Sequence, residues 1–133
     1  MSHNRRVGII ASGAGVETAY KVLNIATAAA AMDAEVAIFF TFDGLAVLHK
    51  RSADLLRLPP EKEFLAQGFR KTNVPSIQEL LEVARESGVR FIGCQMTMDV
   101  MGITRDDLID GVEIGGAAAF LDFALDAGVS LSF

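Results

Sequence analysis

The chain has 133 residues, enough for one domain, 1–133, with a substantial core. Hydrophobic residues make up 51% of it and the mean hydropathy is +0.36, so part of the apolar surface is expected to lie between subunits of a homo-oligomer, the plainer alternative being a dense alanine-rich core. A net charge of −5 argues against nucleic acid as a partner, a lone cysteine excludes an internal disulfide and a multi-cysteine metal site, and the longest uncharged stretch, 22–32, is too short to span a membrane.

The first residues are polar and basic and include His3; no apolar signal core with a cleavage site follows, so a cytoplasmic location is expected. Residues 6–11, rich in branched side chains, read as a first, central strand. Ser12-Gly13-Ala14-Gly15 then leads into a helix predicted over 17–32, with Lys21 and Asn24 outward and Val22, Leu23, Ile25 and Ala26 inward. Such a turn has the composition to cradle an anion at a helix start. It fails as a dinucleotide fingerprint because Thr18 stands at the third glycine position, and as a phosphate loop because no Gly-Lys-Ser/Thr follows. No cofactor is therefore expected.

Residues 35–42 are continuously apolar, as in a strand covered on both faces of a parallel sheet. Asp43-Gly44 makes the turn at its end, and 45–50 begins another helix. His49 ends that helix on the expected active edge, where it either assists a thiol or caps the helix. Residues 51–75 contain Pro59, Pro60, Gly68 and Pro75 and read as an irregular, lid-like segment with short helical turns at 52–58 and 62–69. The stretch 49–71 holds six basic and three acidic residues. It either favours an anionic ligand or forms a solvated loop.

Ser76 with Glu79 three positions on reads as a capping box, opening a helix with Ile77, Leu80, Leu81 and Ala84 inward and Gly88 as its stop. Residues 89–93 form the next strand. Thr104 is a further N-cap with Asp106 and Asp107 in its first turn. An edge strand is expected over 111–114. A helix follows over 115–126, packing through Ala117, Ala118, Phe120, Leu121 and Ala124, and the last strand over 129–133. This order predicts an α/β chain: a three-layer α/β/α fold with four or five mostly parallel strands and right-handed crossovers. The strand order is expected to be 3-2-1-4-5, with the cysteine-bearing strand beside the first.

Cys94, the only cysteine, sits where the third strand ends and a helix begins. Strand carboxyl ends are where ligands meet an open α/β sheet, and a helix start stabilises a thiolate. An activated thiol there can take sulfane sulfur as a persulfide; a buried packing thiol is the alternative. Met98 and Met101 share a helical face that fills core or rims the site. Asp99 is expected to hold the loop by accepting backbone N–H bonds. The expected site is thus Cys94 as the catalytic residue, with Ser12, Gly13, Asp43, Gly44, Gln95, Met96 and Asp99 as binding residues. Two other functions compete: a small anion- or nucleotide-binding module, and an oligomeric scaffold with a structural cysteine.

The run Gly93-Cys94-Gln95-Met96-Thr97-Met98-Asp99-Val100-Met101-Gly102-Ile103, with Asp110-Gly111-Val112-Glu113-Ile114-Gly115-Gly116, resembles the DsrE/DsrF/DsrH-like superfamily and its DsrE-like subgroup. Phe39-Phe40-Thr41-Phe42-Asp43-Gly44-Leu45 and the final Val129-Ser130-Leu131-Ser132-Phe133 extend the similarity over nearly the whole chain. The resemblance implies a small α/β/α oligomer that relays sulfur, with Cys94 as acceptor. It also implies sulfurtransferase activity, with sulfur donor and acceptor proteins or small thiols as partners. Two departures stand out: Asp43 replaces an expected aromatic residue, and residues 51–75 match less well. Members are sometimes named peroxiredoxins, but no Thr-x-x-Cys peroxidase motif is present.

Overall fold

The computed structural model describes residues 5–13 and 15–133; His3 and Ala14 lie outside them. Five strands form one parallel sheet: β1 (Arg6–Ala11), β2 (Glu35–Phe40), β3 (Arg90–Cys94), β4 (Val112–Gly115) and β5 (Val129–Ser132). The helices are α1 (Val16–Ala31), α2 (Ser52–Leu55), α3 (Phe64–Lys71), α4 (Ile77–Glu86), α5 (Gln95–Met101) and α6 (Ala117–Ala124). The spatial order is β4-β3-β2-β1-β5. Of the expected order 3-2-1-4-5 the run β3-β2-β1 holds, but β4 lies outside β3 rather than between β1 and β5, and the cysteine strand β3 pairs with β2, not with the first strand. Central β2, apolar on both sides, pairs with both β1 and β3, as burial on two faces requires.

Alternation along the strands divides the core in two. Val36, Ile38 and Phe40 of β2 and Phe91 of β3 face α1 and α4, which pack on each other. Ala37, Phe39, Ile92 and Cys94 face α6, where Phe39 stacks on Phe120 with ring centroids 5.5 Å apart. The inward residues of α4 are those expected, and both halves of its capping box form: Glu79 N–H donates to Ser76 Oγ at 3.1 Å, and Ser76 N–H to Glu79 Oε1 at 3.2 Å.

Helix α6 departs from expectation. It buries Phe120 and Phe123, while Ala117, Ala118 and Leu121 face outward. Two aromatic rings one turn apart bury more apolar area than alanines do, and they set the rotation of the helix. The strand expected over 35–42 also ends early, at Phe40. There the chain leaves the ladder: Thr41 N–H donates to the Ala11 carbonyl at 3.0 Å, and Phe42, with φ 48°, starts a 3-10 helix over Phe42–Leu48. Gly44 in that turn lies so near β1 that a Cβ would overlap the Ala11 carbonyl oxygen. Segment 51–75 docks on α1, through Lys62–Glu17 at 2.9 Å, the Tyr20–Phe69 ring contact and Tyr20 hydroxyl donating to the Pro75 carbonyl at 2.8 Å.

Gly44→Ala is expected to destabilise the fold by about 1–3 kcal/mol or more, as overpacking does. Urea unfolding at wild-type midpoint would show that β1 and the turn do not meet so closely.

Candidate functional site

Cys94 is the last residue of β3 and the N-cap of α5. Helix α5 ends at Gly102 in the left-handed region, φ 68°, where Ile103 N–H donates back to the Met98 carbonyl at 2.9 Å. The pairing of Phe40 with Gly93 brings Thr41, the residue after β2, to the same carboxyl edge as Cys94, which faces α6. The first full turn of α5 brings Thr97 over the same point. Thr97 is 0% exposed. Its Oγ1 accepts the Phe42 N–H at 2.9 Å and lies 3.2 Å from Thr41 Oγ1.

Cys94 itself is 5% exposed. Burial pushes its thiol up, but the hydroxyl and N–H of Thr97, the hydroxyl of Thr41 and the N–H of Met96 all favour the thiolate. The balance leaves the thiol below its ordinary value.

The other expected residues separate into those near the thiol edge and those with different work. Ser12 and Gly13 do not form an anion cradle: both N–H groups donate to the Phe133 carbonyl, at 2.8 and 3.1 Å, and Ser12 Oγ donates to it at 3.1 Å. Among the described residues Asp99 takes no backbone N–H; it accepts from the Gln95 side-chain amide at 3.0 Å on the exposed side of α5. Met98 is core, whereas Met96 and Met101 are exposed, so the three methionines split between packing and rim. Phe42, Leu55 and Val100 are further exposed apolar side chains on the connections that leave the strand carboxyl ends. Gly44 serves the close approach to β1. Asp43 and His49 line a crevice of about 290 Å³ with Met101, Leu55 and Leu56, and Cys94 is not part of its wall. His49 Nδ1 accepts the Arg51 N–H at 3.0 Å, which leaves Nε2 as its proton-bearing nitrogen when neutral. A further cavity of about 390 Å³, between α4 and residues 49–52 and 109–110, also excludes Cys94. Among the described residues no cluster of three His, Cys, Asp or Glu side chains is placed to hold a metal ion.

Sequence reading missed Thr41 and Thr97. Thr41 looks like strand continuation and Thr97 like an inward helix residue. Their one shared signal is position: one residue past the Phe40–Gly93 pair, and one turn past the cysteine.

Residues 3–67 and 60–132 match the DsrE/DsrF/DrsH-like family. The sulfur carrier protein DsrE2 of Allochromatium vinosum is 33% identical, over 96% of this chain and 97% of that protein. The uncharacterized protein YrkE of Bacillus subtilis is 30% identical, over 96% of each. Among solved structures, the ychN protein from E. coli superposes with a TM-score of 0.70 at 27% identity, covering 97% of this chain and 99% of that one.

Because the folded thiol is the more acidic, thiolate formation favours folding. That contribution is present above the unfolded thiol's value and is lost as pH falls through the folded one. Iodoacetamide labelling of native protein should therefore show a pH midpoint below that of the urea-unfolded chain. A native midpoint at or above the unfolded one would mean that burial, not the donors, governs the sulfur.

Proposed function

Because the chain belongs to the DsrE/DsrF/DrsH-like family, we propose that it is a sulfur carrier with sulfurtransferase activity, in which Cys94 accepts sulfane sulfur as a persulfide and passes it to a partner. The observation that carries this reading is a lone cysteine where a strand ends and a helix begins, beside the paired hydroxyls of Thr41 and Thr97. A packing thiol needs no such donors. Its burial favours the scaffold reading, and the donor set outweighs it, because an acidic thiol is what nucleophilic attack on sulfur requires. A relative named for sulfur carriage supports the same reading.

The chemistry needs no cofactor. The thiolate attacks the outer sulfur of a donor persulfide or polysulfide, one S–S bond forms, another breaks, and the donor leaves as a thiolate. With one cysteine in the chain, no internal thiol resolves the product. The sulfur goes to an acceptor protein or a small thiol. The exposed side chains of Phe42, Met96, Val100 and Met101 give such a partner an apolar rim to dock on. A reducing cytoplasm suits a free reactive thiol, and among the described residues no helix is long and apolar enough to cross a membrane.

We further propose that a second copy of the chain covers the outward side of α6. Ala117, Ala118, Leu121 and Leu125 are exposed along this stretch, Val129 of edge strand β5 is exposed too, and Asp122 is the only charged residue of α6.

Intact mass spectrometry after incubation with polysulfide is expected to show a gain of about 32 Da, one sulfur atom, in wild type and none in Cys94→Ser. An equal gain in both, or none in either, removes the carrier assignment. In sedimentation runs, Leu121→Glu with Leu125→Glu should convert an oligomer to monomer; an unchanged mass would place the interface elsewhere.

A further inference from the structure

We propose that Thr97, assisted by Thr41, is the positioning residue of this sulfur relay: a pair of hydroxyls, pinned by the Phe42 N–H, that turns toward Cys94 Sγ when the sulfur is anionic and toward each other when it is not. The inference rests on the sulfur-carrier reading above and names the groups that regulate its two half-reactions.

The geometry comes from hydrogen-bond capacity. A hydroxyl has one proton to give and two lone pairs to accept with. Thr97 Oγ1 spends one lone pair on the Phe42 N–H at 2.9 Å. It sees no solvent; its hydroxyl faces Thr41 Oγ1 at 3.2 Å, and Cys94, the N-cap of the same helix, stands one turn before it, so that rotation of the hydroxyl would turn its proton toward Sγ. Thr41, which is half-buried, follows through the contact between the two oxygens. The pair can place two protons on the sulfur or share one between the oxygens, and the switch needs only rotation about two C–O bonds.

The sulfur chemistry uses both states. In loading, Cys94 Sγ⁻ attacks the outer sulfur of R–S–SH. The new S–S bond forms, the old one breaks, and its electron pair leaves on R–S⁻. Sγ is then neutral, inside Cys94–S–SH, and the hydroxyls turn to each other. In release, an acceptor thiolate attacks the outer sulfur and takes it as R′–S–SH. The electron pair of the broken bond returns to Sγ, and the hydroxyls turn back to receive the charge. No proton enters or leaves the hydroxyl pair in either step.

This assignment predicts different effects on the two halves. A better-stabilised Sγ⁻ is a better leaving group, so losing the pair slows release at every pH. Loading is slowed only where the thiolate fraction falls, below the thiol midpoint. A residue that merely packs against α5 would move neither pattern in this way.

The test uses the full chain as wild type, Thr97→Val, Thr97→Ser and Thr41→Val. Two quantities are read by intact mass: the pH midpoint of iodoacetamide labelling, and the rate at which dithiothreitol strips sulfur from loaded protein. Thr97→Val is expected to raise the labelling midpoint by about one to two units, the worth of a hydrogen bond to a charged group. It is also expected to slow stripping at least tenfold. Thr41→Val should shift both in the same direction while keeping the Phe42–Thr97 bond, and it carries the test if Thr97→Val does not fold. Thr97→Ser, which retains the hydroxyl, should restore the wild-type midpoint. Wild-type midpoints in folded Thr97→Val or in Thr41→Val overturn the proposal, as does a Thr97→Ser midpoint as high as that of Thr97→Val. The labelling readout requires no sulfur transfer. A wild type that never gains sulfur but shows the midpoint shifts would therefore refute the carrier and leave the hydroxyl pair in place.

Discussion

A hydroxyl with no access to water must find its partners inside the protein, and Thr97 is such a group. Leaving it or the Phe42 N–H unbonded would cost about 1–3 kcal/mol. Satisfying both ties three pieces of chain together: the start of α5, the end of β2, and the turn that follows. The Phe42 N–H reaches Thr97 only because the chain has left the β2 ladder at Thr41, whose own N–H goes to Ala11. That exit forces Phe42 into φ 48°, uncommon for a bulky residue, and brings Gly44 against β1, where no side chain fits. The sulfur of Cys94 lies where these constraints meet.

The sheet itself is asymmetric. On one face α1 and α4 pack together and carry the larger core; on the other, α6 meets β1, β2 and β4. Cys94 points to the side of α6. Residues 51–75 dock on α1, and the crevice around His49 lies between them and the end of α5, with Cys94 outside its wall. The acidity of the sulfur comes from short-range hydroxyl and amide donors, whose effect does not depend on ionic strength as an exposed charge would.

The carboxyl edge also shows how a small site is made from groups with other duties. Gln95 and Asp99 bond each other along the outside of α5, and Met98 fills the core beneath it. Met96, Val100 and Met101 remain on the surface. One seven-residue helix thus presents a polar pair, an apolar rim and a buried hydroxyl in successive directions, as its 3.6-residue period dictates.

The sequence by itself determined what depends on near neighbours. The continuous apolar strands, the Ser76–Glu79 capping box, the Gly88 helix stop and the placement of Cys94 between strand and helix all follow from local periodicity and backbone preference. The α/β class follows from their order. The tertiary structure decided what depends on register. That β3 lies beside β2 rather than β1, that Phe120 and Phe123 rather than the alanines of α6 face inward, and that Thr41 stands next to Cys94 are all long-range facts. Thr41 and Thr97 are separated by 56 positions and are unremarkable in their own segments. They become a hydroxyl pair beside one cysteine because parallel pairing of β2 with β3 brings the ends of the two strands together, and one-dimensional patterning carries no record of that pairing.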